Sequence, residues 1–242
     1  MDPLNQILEN IKTDVERKYE GSDYTDSYLI FLDIMGMKEL VSESYKTLRR
    51  VFNVAEIAIN IYGNISIGGG DNFLSQDQAK ITTMSDSIVI SIGSDVDFAF
   101  SKLVGISSYI IKNFLTAKNF PVFVRGAIVR GEIYQSGATV FGPALTEAYL
   151  LESETAVSMR CILSKQLITD NSVIEYMEAS PAVFQLDAED DFKFINFITK
   201  INKQVILDYS QSILNSDKPD SVKSKYTWLQ NYIKNISELP EA

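Results

Sequence analysis

The 242-residue chain has no histidine and a single cysteine, Cys161. Without imidazole there is no Ser-His or Cys-His triad, no histidine metal ligand and no histidine acid or base. One cysteine excludes an internal disulfide and a thiolate metal cluster. No apolar run reaches the roughly 20 residues of a membrane span, and the opening MDPLNQILENIK does not read as a signal peptide. Basic residues are outnumbered, 22 against 32 acidic, giving a net charge of −10. A broad nucleic-acid face needs a basic stripe. Here Lys and Arg are scattered apart from KTLRR, a short run that reads as a solvated helix face. These absences predict an acidic, cytoplasmic protein that binds neither nucleic acid nor membrane. Catalysis, if any, must use carboxylates, hydroxyls, Lys/Arg and metal ions.

What is present is a 45% hydrophobic chain, enough for a sizeable core. Apolar periodicity predicts helices over 4–19 and 37–62, the second ended at Gly63 by the Gly/Asn/Asp-rich loop GNISIGGGDNFLSQDQAK. Residues 28–34 read as a buried strand, and KITTM and SIVISI as a hairpin about Ser85-Asp86. A helix over 95–118 should bury Phe98, Leu103, Ile106, Ile110 and Phe114. Then come VFVRGAIV, a second β-run around GEIYQSGATVFG, a helix opened by Pro143, and the short strand RCILS. A hairpin (AVFQL, FKFINF) and helices near 199–215 and 220–236 complete the chain. Strand, helix, hairpin, helix, strand is the split βαβ, ferredoxin-like pattern of an α+β protein. Its right-handed crossovers put the first strand beside the hairpin in mid-sheet. Asp33 and Asp86, 53 positions apart, would then be neighbours.

In YLIFLDIMG, Asp33 stands near the tip of an otherwise apolar strand. A lone carboxylate in such a place costs several kcal/mol without compensation. Taken singly, Asp33 could cap the following helix, although Met37 is rather far, and Asp86 could be a plain turn residue. Taken together, two facing carboxylates repel, and a divalent cation removes that cost. Met35, Gly36 and Met37 open the next helix, where backbone N–H groups can receive phosphate oxygens.

The series FLDIMG, SDSIVIS, VRGAIVRGEIY, VFGPALTEAYLLES and RCILS, in this order, resembles the class III nucleotidyl cyclase catalytic domain. Within that class it looks most like the bacterial pyrimidine cyclases of Pycsar anti-phage defence. The resemblance covers about 28–170 and divides the chain into an N-terminal helical extension (1–27), a catalytic domain (28–170) and a C-terminal hairpin with helices packed on it (171–242). It implies the ferredoxin-like class III cyclase fold with extra N- and C-terminal helices.

It also implies two Mn²⁺ or Mg²⁺ ions on Asp33, Asp86 and the carbonyl of Ile34. The implied reaction is ribose 3′-hydroxyl attack on the α-phosphate of a nucleoside triphosphate, at sites shared across a homodimer. The cyclic nucleotide product would then act on a separate effector. Purine cyclases of the class carry Asn and Arg on the helix after Gly142, and here Thr146 and Leu150 stand at those positions. Arg125 or Arg160 would have to supply the missing charge; for Arg125 a salt bridge within the sheet is equally open. The Lys and Asp that read adenine fall on Thr82 and Thr139, short hydroxyls that imply a pyrimidine, UTP before CTP. Glu152 reads as structural, and Tyr149 as core or as a base-stacking ring. The competing readings are a purine cyclase, an inactive nucleotide-sensing homologue, and a palm-type polymerase, the last disfavoured by TMSDS where a GGDEF-type hairpin would stand.

Overall fold

The computed structural model describes residues 24–38, 78–116 and 121–236, with positions 6, 41, 49 and 53 besides. The expected helices over 4–19 and 37–62 and the loop after them lie largely outside these residues. The architecture is α+β. Strands β1 (Thr25–Ile34), β2 (Ala79–Met84), β3 (Ser87–Gly93), β4 (Val124–Ser136), β6 (Cys161–Leu163), β7 (Phe184–Leu186) and β8 (Lys193–Ile195) form one sheet in the order β2-β3-β1-β4-β6-β8-β7. Strand β5 (Thr139–Phe141) folds back on β4. As the sequence pattern anticipates, β1 lies between the hairpin strand β3 and β4, antiparallel to both. The C-terminal hairpin β7-β8 extends the same sheet through β6.

β1 reads as a continuous apolar run because helices cover both of its faces. Tyr28, Ile30, Leu32 and Ile34 point into the main core with Leu103, Ile106, Ile110 and Phe114 of α1 (Ala99–Leu115). Leu29 and Phe31 point the other way, against Val89, Val129 and α2 (Pro143–Glu154). Helix α2 turns Ala144, Ala148 and Glu152 to the sheet, the i, i+4, i+8 stripe of one helical face. Helix α4 (Lys203–Leu214) and α5 (Asp220–Asn235) complete the main core, where Trp228 and Tyr232 pack on Phe194. Among the described residues no helix is long and apolar enough to cross a membrane.

Three expectations change. Phe98 is not on the buried face of α1: it sits one residue before the helix at φ 58 and is 61% exposed. The two β-runs after Pro121 are one 13-residue strand, β4. Gly131 does not break it: its pairing with Ser27 of β1 continues the ladder, and a Cβ there would meet Ala144 of α2 at an ordinary 3.5 Å. Helix α3 (Asn171–Ala179) was not anticipated; its signal is Asp170, whose side chain caps the Ser172 N–H.

Asp170 also ties α3 to the sheet. Arg130 on β4 donates to Asp170 at 2.5 Å and to Asp26 on β1 at 2.8 Å, and the Tyr28 hydroxyl donates to Asp170 at 3.1 Å. Burial alone would raise the Asp170 carboxyl, but hydrogen bonds from Ser172, Arg130 and Tyr28 hold it down at about 2. Unfolded, it would titrate at about 3.9. A carboxyl depressed in the folded state contributes stability above the unfolded value and loses it as pH falls through the folded one. The stability advantage of the native protein over Asp170→Asn should therefore be constant above about pH 5 and shrink between about pH 4 and 2. Urea melts of both proteins across this range check it; a constant difference would refute the linkage.

Candidate active site

Strand β1 ends on Asp33 and Ile34, and the chain turns at Gly36, whose φ of 75 suits glycine. Next door, β2 and β3 are joined by a two-residue turn with Ser85 at φ 53. That turn brings the Asp86 carbonyl to the Ile34 N–H, which donates to it at 2.8 Å. In the ladder Asp33 lies opposite Ser87 on one side and Arg125 on the other. Tertiary structure thus brings Asp33, Asp86 and Arg125 to one end of three adjacent strands.

Arg125 Nε donates to Asp33 Oδ2 at 3.0 Å. The same nitrogen lies 2.5 Å from Glu152 Oε1 on α2. Glu152 is 2% exposed, and its Oε1 accepts no hydrogen bond among the described residues. Burial raises its carboxyl above the ordinary range; Arg125 opposes this and the Asp33 charge adds to it. Lys225 on α5 faces the same group. Burial lowers its ammonium, Arg125 pushes the same way, and Asp33 and Glu152 oppose.

The remaining residues singled out in the sequence are dispersed. Met35 and Met37 are half-buried against the main core. Thr146 and Leu150 face outward on α2, in a groove of about 530 Å³ with Pro143, Glu147 and Leu151. They lie on the helix side opposite the sheet-facing stripe that carries Glu152. Thr139 is exposed on β5, whereas Thr82 is buried. The Thr82 hydroxyl donates to the Gly137 carbonyl at 3.0 Å and accepts from Gln135 at 3.0 Å. Its one proton is therefore engaged. Arg160 is 5% exposed, ion-paired with Asp187 and Asp190 and set over the Trp228 ring. Its guanidinium ties the start of β6 to the β7-β8 turn and α5, so its charge is committed there and not free for substrate. Tyr149 is 54% exposed, its ring edge-on to Phe31.

Lys225 is the site residue that sequence reasoning missed, and Glu152 the one it read as structural only. For Glu152 a signal existed: it is the carboxylate on the otherwise small, apolar stripe Ala144–Ala148. For Lys225 there was none, because only packing of α5 brings it near.

The donor set at the β1 tip suits a hard divalent cation. Asp33 and Asp86 offer carboxylates, and Ile34 a main-chain carbonyl. The half-buried Asp86 carboxylate has no hydrogen-bond or ion-pair partner among the described residues. No group of three or more Asp, Glu, His or Cys ligands occurs among them. A cation here would complete its shell with water, as Mg²⁺ commonly does.

No protein-family model and no curated protein matches the chain. It is similar to a solved structure described as a bacterial light-regulated adenylyl cyclase, at 14% identity and TM-score 0.42, over 77% of this chain and 98% of that one. It is also similar to a class III adenylyl cyclase-like ATP-binding protein from Pseudomonas aeruginosa, at 14% identity and TM-score 0.45. That match covers 88% of this chain and 44% of that one. At these values neither neighbour assigns a substrate or a reaction to this chain.

Proposed function

We propose that the protein is a metal-dependent nucleotidyl cyclase that converts a pyrimidine nucleoside triphosphate, UTP before CTP, to its 3′,5′-cyclic monophosphate and diphosphate. The observation that carries the reading is the adjacency of Asp33 and Asp86 at one sheet end, where Ile34, the residue after Asp33, donates its N–H to the Asp86 carbonyl. Two acidic side chains at one sheet end, one of them without a partner among the described residues, are what a cation-dependent phosphoryl site requires. Asp33, Asp86 and the Ile34 carbonyl would hold Mn²⁺ or Mg²⁺. Such ions, when bound, ease deprotonation of a ribose hydroxyl and neutralise the triphosphate.

The rest falls to the chain itself. The Met35 N–H is already donated to the Phe123 carbonyl at 2.9 Å, so it drops out of the expected phosphate-binding set, and the Gly36 turn leaves the N–H groups of 36 and 37 to approach phosphate oxygens. Among the described residues Arg125 is the cation in contact with Asp33, and it takes the charge-neutralising role for which Leu150 is unsuited. Base choice falls to Thr139 of a second copy of the chain, because the hydroxyl proton of Thr82 is already donated and Thr139, opposite Ser136, lies at the other end of β4 from Arg125 of its own chain. A second copy of the chain fits the outward face of α2 and β5, where Phe141, Tyr149 and Leu150 are each 44–54% exposed. The product would serve as a messenger to a separate effector in anti-phage defence.

The test is incubation of the purified protein with each of ATP, GTP, CTP and UTP and Mn²⁺, with products identified by mass spectrometry. Cyclic UMP should dominate, then cyclic CMP. A base-reading site can reject the wrong base by about 10⁴ when its polar groups are left unpaired. More efficient cyclisation of ATP or GTP would overturn the pyrimidine assignment. No product from any of the four would favour the inactive, nucleotide-sensing reading that Leu150 motivates. Sedimentation of the same preparation reports the dimer, and a fully active monomer would remove that part.

A further inference from the structure

Glu152 presents an unusual combination. Its carboxylate is buried, its Oε1 accepts no hydrogen bond among the described residues, and yet Arg125 Nε lies 2.5 Å away. The single Nε–H proton explains this. It points to Asp33 Oδ2, with good geometry at 3.0 Å. Glu152 therefore competes for a guanidinium whose proton Asp33 currently takes. We propose that Glu152 is a positioning residue that sets the cation affinity of Asp33, by drawing Arg125 off that carboxylate when a divalent ion arrives. The proposal rests on the reading of Asp33 and Asp86 as metal-holding residues.

The electrostatics run in one direction. With Glu152 ionised, Arg125 leaving Asp33 finds a second carboxylate already in contact, so releasing Asp33 to a metal does not leave the half-buried guanidinium unpaired. With Glu152 neutral, Arg125 has only Asp33 as an anionic partner in this group, and a metal must displace it without compensation. Partners that orient or compete for a metal ligand commonly change affinity by tenfold or more.

The experiment uses Mn²⁺ alone, without nucleotide, and follows the free-ion electron paramagnetic resonance signal on titration into the full chain. Glu152→Gln should weaken Mn²⁺ binding roughly tenfold. The double variant Arg125→Met/Glu152→Met replaces the pair by apolar chains of similar length, which buried ion pairs tolerate. It should bind Mn²⁺ at least as tightly as the native protein, because the competing guanidinium has gone. A general loosening of the core would not produce that recovery. Unchanged affinity in Glu152→Gln overturns the proposal. So does a double variant as weak as the single one. If Glu152→Gln fails to fold, the double variant decides: native-like or tighter binding supports the mechanism, and tenfold weaker binding defeats it. Asp33→Ala is the separate check on the metal reading. If Mn²⁺ binds the native protein and this variant equally, Asp33 is not a ligand, and both ideas fall together. If Asp33→Ala abolishes binding while Glu152→Gln leaves it unchanged, only the present inference fails.

Discussion

Asp33→Ala and Asp86→Ala are each expected to lower nucleotide turnover at least about a thousandfold while leaving the fold intact. A bound divalent ion contributes several kcal/mol of charge stabilisation in phosphoryl transfer, and each 1.4 kcal/mol is about a factor of ten in rate. The fold should survive for a local reason in each case. Loss of the Asp33 carboxylate leaves the half-buried Arg125 in contact with Glu152, so its guanidinium keeps an anionic partner. Asp86 makes its described hydrogen bond through its main-chain carbonyl to Ile34, and alanine retains that carbonyl. Turnover assays paired with thermal melts provide the check. If either variant works within tenfold of the native rate, the assignment of both carboxylates to the metals is wrong.

The second large effect concerns stability. Gly126 in β4 lies opposite Leu32 of β1, and its N–H donates to the Arg160 carbonyl at 3.0 Å. A Cβ there would stand 2.1 Å from the Phe31 carbonyl oxygen and 3.1 Å from a Leu32 methyl. The oxygen is backbone in the middle of a sheet and has no rotamer to escape into. Relief requires β1 and β4 to separate, at the pairing that also sets Asp33 opposite Arg125. Gly126→Ala should cost about 4 kcal/mol, above the usual roughly 1–3 kcal/mol of overpacking because the clash is with backbone, which for a chain of this size lowers the melting temperature by roughly 8–16 °C. Gly131→Ala, which meets only the Ala144 Cβ at 3.5 Å, is the control and should melt close to native. A Gly126→Ala protein that melts within two or three degrees of native (about 1 kcal/mol or less) would mean the strands are not so closely apposed.

Much of this molecule is legible without coordinates, because its elements are local. The apolar run of β1, the hairpin about Ser85-Asp86, Pro143 at the start of α2 and the spacing within α1 each depend on residues a few positions apart. Period and turn chemistry suffice for those. The lack of histidine and the lone Cys161 likewise excluded whole classes of chemistry at the outset. Topology rules went one step further and put Asp33 beside Asp86, since few connections of a strand, a hairpin and a helix are allowed.

Only tertiary structure decided which polar groups remain available. Thr82, Arg125 and Arg160 look alike in sequence, as polar residues in β-rich segments. Packing commits them differently: Thr82 to Gly137 and Gln135, Arg160 to Asp187 and Asp190, and Arg125 to a carboxylate pair at the sheet end. In α2 the helical period places Thr146 and Leu150 on one side and Glu152 on another, but only docking on β1 and β4 shows that Glu152 is the buried one. The reason is physical. A side chain's propensity is set by its own chemistry and near neighbours, whereas its charge state and partners depend on what desolvates it. Those partner and desolvating groups come from strands and helices distant in sequence, as with Arg125 and Asp33, 92 positions apart, or Tyr28 and Asp170, 142 apart.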